Sequence, residues 1–135
     1  MNRRNFLVTS TAFCLVPLSL QAAEPLIYTA GSAEAAMDAG KIVLLDFWAS
    51  WCSTCAAQER VLAELRAENP AYEQNIVFFV VDWDKHGTGP LAKDLRIPRR
   101  STLVALKGRQ ELGRIVAGTS KKEIRALLDT ALKAS

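Results

Sequence analysis

Two continuous apolar runs, separated by a stretch with helical character, most constrain what this chain can fold into. The first run covers Ile42 to Phe47 and the second covers Ile76 to Val81. Each run has the length of a strand that is buried on both faces of a sheet. Two strands joined by a helix lie parallel, because the helix carries the chain back to the edge where the first strand began. The pattern therefore predicts an α/β domain built on a parallel βαβ unit.

The remaining segments predict an edge strand, further helices and a hairpin. They are an edge strand over 26–28, a helix capped by Ser32 that runs to about Ala39 and ends at Gly40, a helix from Cys52 to Glu68, a polar stretch over 82–89, a short helix over 90–95, strands over 102–106 and 111–116, and a last helix opened by Ser120. Asn69-Pro70 ends the long helix, and 107–110 forms the hairpin turn. The predicted fold is a central mixed sheet with a parallel βαβ half and an antiparallel hairpin half, flanked by helices.

Two cysteines stand where the first predicted strand ends and a helix begins. Cys52 follows Trp51 and is separated from Cys55 by Ser53 and Thr54. Residues three apart share one face of a helix, so the two thiols can form and break a disulfide. At a helix start, unpaired backbone N–H groups and the helix dipole stabilise a thiolate, which is the nucleophilic form of cysteine. The pair predicts thiol–disulfide chemistry.

Charge and cysteine usage limit the classes of function. The chain carries a net charge of +3, but Arg3 and Arg4 lie in an N-terminal segment that we expect to be removed. Without them, 15 Lys and Arg face 14 Asp and Glu, a net charge of +1 that gives no electrostatic basis for binding nucleic acid. Removal would also take Cys14 and leave only Cys52 and Cys55. A secreted domain held together by structural disulfides would spread more cysteines along the chain.

Residues 1–23 have the features of an export signal. A pair of arginines is followed by an apolar stretch over 6–20 of about 15 residues, shorter than the ~20 that a spanning helix needs. Small residues allow cleavage after Ala22 or Ala23. The arginines also resemble those of a twin-arginine signal, and the alternative to cleavage is a membrane anchor. We therefore expect residues 24–135 to form one domain located in the periplasm.

The residues around the cysteines resemble those of a known family. Residues 45–55 read LDFWASWCSTC, which is similar to the active-site strand and helix start of the thioredoxin superfamily. The predicted order of elements fits that family from about Leu26 to the C-terminus. The resemblance implies a thioredoxin-like fold and a monomeric protein-disulfide oxidoreductase that needs no cofactor and no metal.

The resemblance also implies roles for individual side chains. Cys52 would be the attacking cysteine and Cys55 the buried resolving one, while Asp46 would pass a proton to and from Cys55. A carboxylate inside an apolar run is unusual, and its pKa is raised if it is buried without a partner. The alternative for Asp46 is a strand-end residue turned to water. Trp48 is expected in the core.

The chain departs from the family's pattern in the segment that faces the cysteines. There the family carries a cis-proline followed by threonine, and aligning that threonine with Thr102 places Ser101 at the proline position. A slipped loop in which Pro98 takes over is the alternative. We expect Ser101 and Thr102 to form the substrate-docking surface together with Trp51. A cis bond before a residue other than proline costs ~2.5–4 kcal/mol, so the Arg100–Ser101 bond is either trans or strained.

Charged residues near the predicted site allow two interpretations each. Arg99 and Arg100 would lie at the active face, where they either favour acidic partners or form a solvated charge pair. His86, the only histidine, either approaches the cysteines or lies on a surface loop. The lysine that cytosolic thioredoxins often carry on the neighbouring strand has no counterpart in the run over 76–81.

The leading functional prediction is a reductant of protein disulfides outside the cytoplasm. Ser53 and Thr54 place no positive charge between the cysteines, unlike the histidine of oxidising relatives. In an oxidising compartment such a protein needs electrons, which by family analogy come from a membrane disulfide reductase. The alternative is a Cu or Zn site that uses Cys52 and Cys55, with His86 as a further ligand.

Overall fold

The computed structural model describes residues 23–135, so the predicted export signal lies almost wholly outside the described residues. These residues form five strands and six helices. In chain order the elements are β1 (Leu26–Ile27), α1 (Ser32–Asp38), β2 (Ile42–Trp48), α2 (Ser53–Glu68), α3 (Pro70–Asn75), β3 (Val77–Asp82), α4 (Trp83–His86), α5 (Pro90–Asp94), β4 (Thr102–Lys107), β5 (Gln110–Val116) and α6 (Lys121–Lys133).

The five strands form one mixed sheet in the order β1-β3-β2-β4-β5. Strands β1, β3 and β2 are parallel, whereas β4 pairs antiparallel with both β2 and β5. The central position of β2 explains its nearly continuous apolar sequence, because both of its faces are covered. The predicted mixed sheet, with its parallel half and its hairpin half, is confirmed.

Alternation along β2 divides the core into two layers. Val43 and Leu45 pack on the side of the sheet that α1 and α5 cover. Ile42 and Leu44 pack on the opposite side, together with residues of α2, α3 and α6. Successive side chains of a strand point to opposite faces, so Asp46 continues the row of Ile42 and Leu44. The only carboxylate of this strand is therefore directed to the layer that contains α2.

The start of α1 differs from the prediction. Gly31 occupies the cap position with φ +87°, a conformation that glycine adopts without steric cost. Ser32 is the first helical residue, and its hydroxyl accepts a hydrogen bond from the Thr29 N–H at 3.0 Å. The prediction that Ser32 caps this helix was wrong, because its side chain closes the preceding turn. Gly40, with φ +75°, follows the helix end as expected.

Two short helices were not predicted. Asn69 and Pro70 end α2, but they also begin α3, since the Asn69 side chain accepts from the Ala71 N–H at 3.1 Å and Pro70 stands at the first helical position. The polar stretch after β3 contains α4, whose cap is the Asp82 carboxylate. In both places, the residue at which one element ends also caps the next helix.

One edge of the sheet gathers the predicted site. Cys52 follows the end of β2, α4 follows the end of β3, and Ser101 directly precedes β4, which runs in the opposite direction. The carboxyl ends of parallel strands are the usual place for a working site in α/β proteins. No helix between residues 23 and 135 is long and apolar enough to cross a membrane.

Candidate active site

Cys52 is the N-cap residue of α2. Its backbone is extended, with φ −96° and ψ 110°, and its sulfur accepts a hydrogen bond from the Cys55 N–H at 3.2 Å. A disulfide joins the two cysteines, whose Cα atoms lie 5.3 Å apart. Cys52 retains 5% of its surface exposed and Cys55 none. Of the two sulfurs, that of Cys52 is therefore the one that a partner can approach.

The Ser101 hydroxyl lies beside both sulfurs. Its Oγ is 3.1 Å from the Sγ of Cys52 and 3.1 Å from the Sγ of Cys55. The hydroxyl has one hydrogen, so it can donate to only one sulfur at a time. The structure thus places Ser101 opposite the cysteines, as the alignment on Thr102 predicted, and the slipped loop with Pro98 in that place was wrong.

The backbone of Ser101 differs from that of a cis-proline. All peptide bonds in residues 23–135 are trans, and Ser101 has φ +62°, in the left-handed region. Its N–H donates to the Phe47 carbonyl at 2.7 Å, and its carbonyl accepts from the Ala117 N–H at 2.8 Å. Proline has no N–H and fixes φ near −65°. A proline at position 101 would therefore require a different course of this loop.

Gln58 is a site residue that the sequence analysis missed. It is fully buried, and its Nε2 donates to the Ser101 carbonyl at 3.0 Å and to the Gly118 carbonyl at 2.9 Å. The available signal was its position on the stripe that α2 buries, three residues after Cys55. An amide on the buried face of a helix indicates that its polar atoms bond to buried groups of neighbouring elements.

Asp46 is buried rather than turned to water. Only 5% of its surface is exposed, and its Oδ1 has no hydrogen-bond partner among the described residues. Burial, together with the smaller effect of the negative charge of Glu59, raises the pKa of the Asp46 carboxyl to about 7. The alternative of a solvated strand-end residue was wrong, while the proton-transfer role stays a prediction.

A cavity of about 380 Å³ adjoins this carboxyl. It is lined by apolar residues of β2, β3 and α2 and by four charged residues, which are Glu24, Asp46, Glu59 and Arg66. Val80, which pairs with Asp46 across β2 and β3, also lines it and brings no charge. The strand position beside Asp46 on β3 therefore brings no positive charge to this carboxyl.

Trp51 carries the exposed side of the site. It is 59% exposed, and its Nε1 donates to the Asp84 carboxylate at 3.0 Å from Oδ2 and 3.2 Å from Oδ1. The guanidinium carbon of Arg100 lies 4.3 Å from the centre of the indole ring. This distance is typical of a cation–π contact, which the sequence analysis did not foresee.

The other two predicted docking residues offer no side-chain surface. Ser101 and Thr102 are fully buried, and the Thr102 hydroxyl donates to the Arg99 carbonyl at 2.7 Å. That bond closes the turn that leads into β4. A docking role for these two residues stays a prediction, and it would depend on how they shape the loop.

The candidate metal ligand His86 lies elsewhere. Its ring packs edge-on against Tyr28, with ring centroids 4.8 Å apart. Within residues 23–135, no three side chains of His, Cys, Asp or Glu converge to form a metal site.

Trp48 and Trp83 are half-buried and pack against the cluster formed by Ala49 and the two cysteines.

The fold and the paired cysteines define a thiol–disulfide oxidoreductase, and comparison with known proteins gives the family. The thioredoxin family model matches residues 27–130. The chain is 35% identical to a thioredoxin H-type of Brassica campestris over 95 residues, which cover 70% of this chain and 72% of the relative. It is 30% identical to a thioredoxin of Buchnera aphidicola over 98 residues, or 72% and 84% of the two chains. This chain belongs to the thioredoxin family.

Solved structures agree with that assignment. The crystal structure of Trxlp from Edwardsiella tarda EIB202 is 30% identical, with a TM-score of 0.68 over 78% of this chain and 98% of that one. Thioredoxin of Malassezia sympodialis gives a TM-score of 0.66 over 82% and 96% of the two chains. At 23% identity the second likeness concerns the fold alone.

We predict that Asp46→Asn changes how stability depends on pH. The folded protein keeps the Asp46 proton up to about pH 7, whereas the unfolded chain releases it near the ordinary pKa of 3.8. The wild type should therefore lose stability as the pH rises from 5 to 8, by roughly 3 kcal/mol from this group. The asparagine variant should lack that loss, as measured by urea unfolding at both pH values.

Glu59→Gln is the matched control for this measurement. It removes the neighbouring charge but keeps the buried carboxyl, so its loss between pH 5 and pH 8 should be smaller than in the wild type but not absent. Parallel stability profiles for the wild type and Asp46→Asn would contradict the raised pKa.

A second prediction concerns the hydroxyl of Ser101. Ser101→Ala keeps the backbone N–H that binds Phe47 but removes the hydroxyl that lies 3.1 Å from both sulfurs. A hydrogen bond to a thiolate stabilises the ionised form. In the variant, the Cys52 thiol should therefore ionise at a higher pH than in the wild type. Alkylation rate against pH measures this. Ser101→Thr, which retains a hydroxyl, is the control, and identical profiles for all three proteins would refute a role of the hydroxyl.

Proposed function

We propose that this thioredoxin reduces protein disulfides outside the cytoplasm, with Cys52 as nucleophile and Cys55 as resolving cysteine. The observation that carries the proposal is the asymmetry of the pair. Cys52 caps α2, accepts the Cys55 N–H at 3.2 Å and keeps some exposure, whereas Cys55 is fully buried in the first turn. Donors at a helix start favour the thiolate of the cysteine that they surround.

The first step forms a mixed disulfide. In the reduced protein, the Cys52 thiolate attacks one sulfur of the substrate disulfide, and a bond forms between them as the substrate S–S bond breaks. The other substrate sulfur leaves with the electron pair and takes up a proton. The N–H of Cys55 and the hydroxyl of Ser101 stand where the attacking thiolate needs donors.

The second step releases the reduced substrate. Cys55 gives up its proton and attacks the Cys52 sulfur, so that the mixed disulfide breaks and the second substrate sulfur leaves as a thiol. The products are the Cys52–Cys55 disulfide of the described structure and a substrate reduced by two electrons. Asp46, whose pKa of about 7 leaves it able to take or give a proton near neutral pH, is the proposed acceptor of the Cys55 proton.

Two parts of this proposal, the direction of electron transfer and the cellular location of the protein, rest on sequence features. Ser53 and Thr54 bring no positive charge that would further stabilise the reduced form and so make the protein an oxidant. The export features of residues 1–23 support a periplasmic location after cleavage at Ala22 or Ala23. There the protein would work as a monomer and would receive electrons from a membrane disulfide reductase.

We predict opposite results for the two cysteine variants. With dithiothreitol as electron source, the purified protein should reduce the disulfides of insulin, and Cys52→Ser should lower that rate to the level of dithiothreitol alone. Cys55→Ser should instead accumulate mixed disulfides through Cys52, because the first step proceeds and the second cannot. Gel electrophoresis without reductant, followed by mass spectrometry of the trapped species, measures this.

The control for these variants is the double variant Cys52→Ser/Cys55→Ser, which should neither reduce nor trap. Trapping through Cys55 in the Cys52→Ser variant, at the rate seen for Cys55→Ser, would reverse the assignment of nucleophile and resolver.

The direction of electron flow gives a further prediction. In cells that export the protein, Cys52 and Cys55 should be mostly reduced when a membrane disulfide reductase is present and oxidised after its deletion. Thiol trapping by a mass-tagged maleimide in acid-quenched cells measures both states. The reduction potential should lie near the reducing end of the family, about −270 mV, and a value near −120 mV would contradict the reductant function.

Metal content tests the alternative function, in which Cys52 and Cys55 bind Cu or Zn. Cu or Zn bound in equal amount to reduced protein, purified without chelator, and lost in Cys52→Ser would support a metal site on the same cysteines. His86 contacts Tyr28, so such a site would need ligands other than this histidine.

A further inference from the structure

The pair formed by Trp51 and Arg100 stands at the entrance to the proposed nucleophile. Trp51 directly precedes Cys52, and Arg100 directly precedes the Ser101 that touches both sulfurs. We propose that Arg100, held over the Trp51 indole, binds an acidic side chain next to the substrate's disulfide, so that this protein prefers disulfides flanked by Asp or Glu. The proposal rests on the function proposed above and names its substrate class.

The contacts of Trp51 fix the orientation of this pair. The indole N–H is held by the Asp84 carboxylate at 3.0 and 3.2 Å, while the ring accepts the Arg100 guanidinium 4.3 Å from its centre. An indole bound by its N–H and covered on its face loses little further freedom on binding a partner. The guanidinium is thereby positioned in advance beside the residue that precedes Cys52.

Arg100 has unused binding capacity. Among the described residues it belongs to no ion pair, in contrast to Arg66, Arg109, Arg114 and Arg125. Its Nε is buried and closed to a partner, but the side chain as a whole is only half-buried, and its two terminal NH2 groups donate to no acceptor among the described residues. A guanidinium that retains free N–H groups in a fixed plane suits a carboxylate, which it can bind through two parallel hydrogen bonds.

The charges around Arg100 favour an anion. Arg99 is its neighbour and donates its Nε to the Arg100 carbonyl at 3.1 Å, which brings a second positive charge to the same loop. The carboxylate of Asp84 accepts the indole N–H with both oxygens, and that of Asp82 accepts the Asp84 N–H at 2.9 Å. The residues between the cysteines, Ser53 and Thr54, are uncharged. The loop before Ser101 therefore carries two cations, whereas the two nearby carboxylates already accept hydrogen bonds, which steers acidic segments towards Cys52.

The test uses three disulfide-linked peptides that differ only in the residue on each side of the cysteine, which is Glu, Gln or Lys. The reduced protein is mixed with each peptide, and the second-order rate constant of reduction is measured. In the wild type, the Glu peptide should react about threefold faster than the Gln peptide, and the Lys peptide correspondingly slower, as expected for partly exposed ion pairs. Since all three share one nucleophile, the ratio of rates isolates the charge of the substrate.

Variants of Arg100 and added salt test whether the preference for acidic peptides arises at Arg100. Arg100→Gln should bring the Glu-to-Lys ratio close to one, Arg100→Glu should invert it, and Arg100→Lys should retain part of it. Arg109→Gln is the matched control, because it removes one positive charge at the far end of β4, where Arg109 pairs with Asp38. That variant should keep the wild-type ratio. In the wild type, about 0.5 M salt should also compress the ratio, which tests the same interaction without any substitution.

The outcomes separate the two proposals. Equal rates for the Glu and Lys peptides in the wild type would overturn the acidic preference, and an unchanged ratio in Arg100→Gln would overturn its assignment to Arg100. In both cases the reductase function stands. Failure to reduce any of the three peptides, the neutral one included, would overturn both.

Discussion

A single residue, Ser101, joins the loop before β4 to the elements around the cysteines, and it does so in a left-handed backbone conformation. An L-residue at φ +62° costs about 1–2 kcal/mol relative to an ordinary conformation. Hydrogen bonds to Phe47, Ala117 and Gln58 link this backbone to the end of β2, to the residue after β5 and to α2. Each contributes about 1 kcal/mol net, so together they can offset the strain. The site therefore depends on a conformation that its neighbours maintain.

This arrangement explains how a thioredoxin can lack the proline of its family's pattern. Serine supplies an N–H, which Phe47 accepts at 2.7 Å, and a hydroxyl, which reaches both sulfurs at 3.1 Å. Proline supplies neither group. The loop thus exchanges a rigid apolar ring for polar contacts with the reacting atoms and with β2. Gln58 belongs to the same arrangement, because its amide gives the Ser101 carbonyl a second hydrogen bond and also donates to the Gly118 carbonyl.

Local patterns in the sequence were enough to predict the sheet and the place of the cysteines, but not the contacts between distant side chains. The apolar run of β2 and the CxxC spacing depend on a few neighbouring residues, so the strand, the helix start and the paired sulfurs follow from them. The contact of Arg100 with Trp51 joins residues 49 positions apart and depends on side-chain packing, which no periodicity records. The burial of Asp46 was one of two open alternatives, and only the position of β2 between β3 and β4 decides it.

The proposed mechanism places its two ionisable partners in contrasting surroundings. Cys52 lies at the surface edge, after an indole that carries a guanidinium, where negative charge is stabilised before attack. Cys55 is fully buried, and a lasting thiolate there would be costly, so its proton should leave only as it attacks. A carboxyl with a pKa of about 7 and no cationic partner suits that step, since it accepts a proton without holding a permanent negative charge beneath the site. A lysine in place of Val80 would stabilise the Asp46 carboxylate and weaken it as a proton acceptor near neutral pH. The uncharged Val80 beside Asp46 is therefore part of the same chemical arrangement as the cysteines.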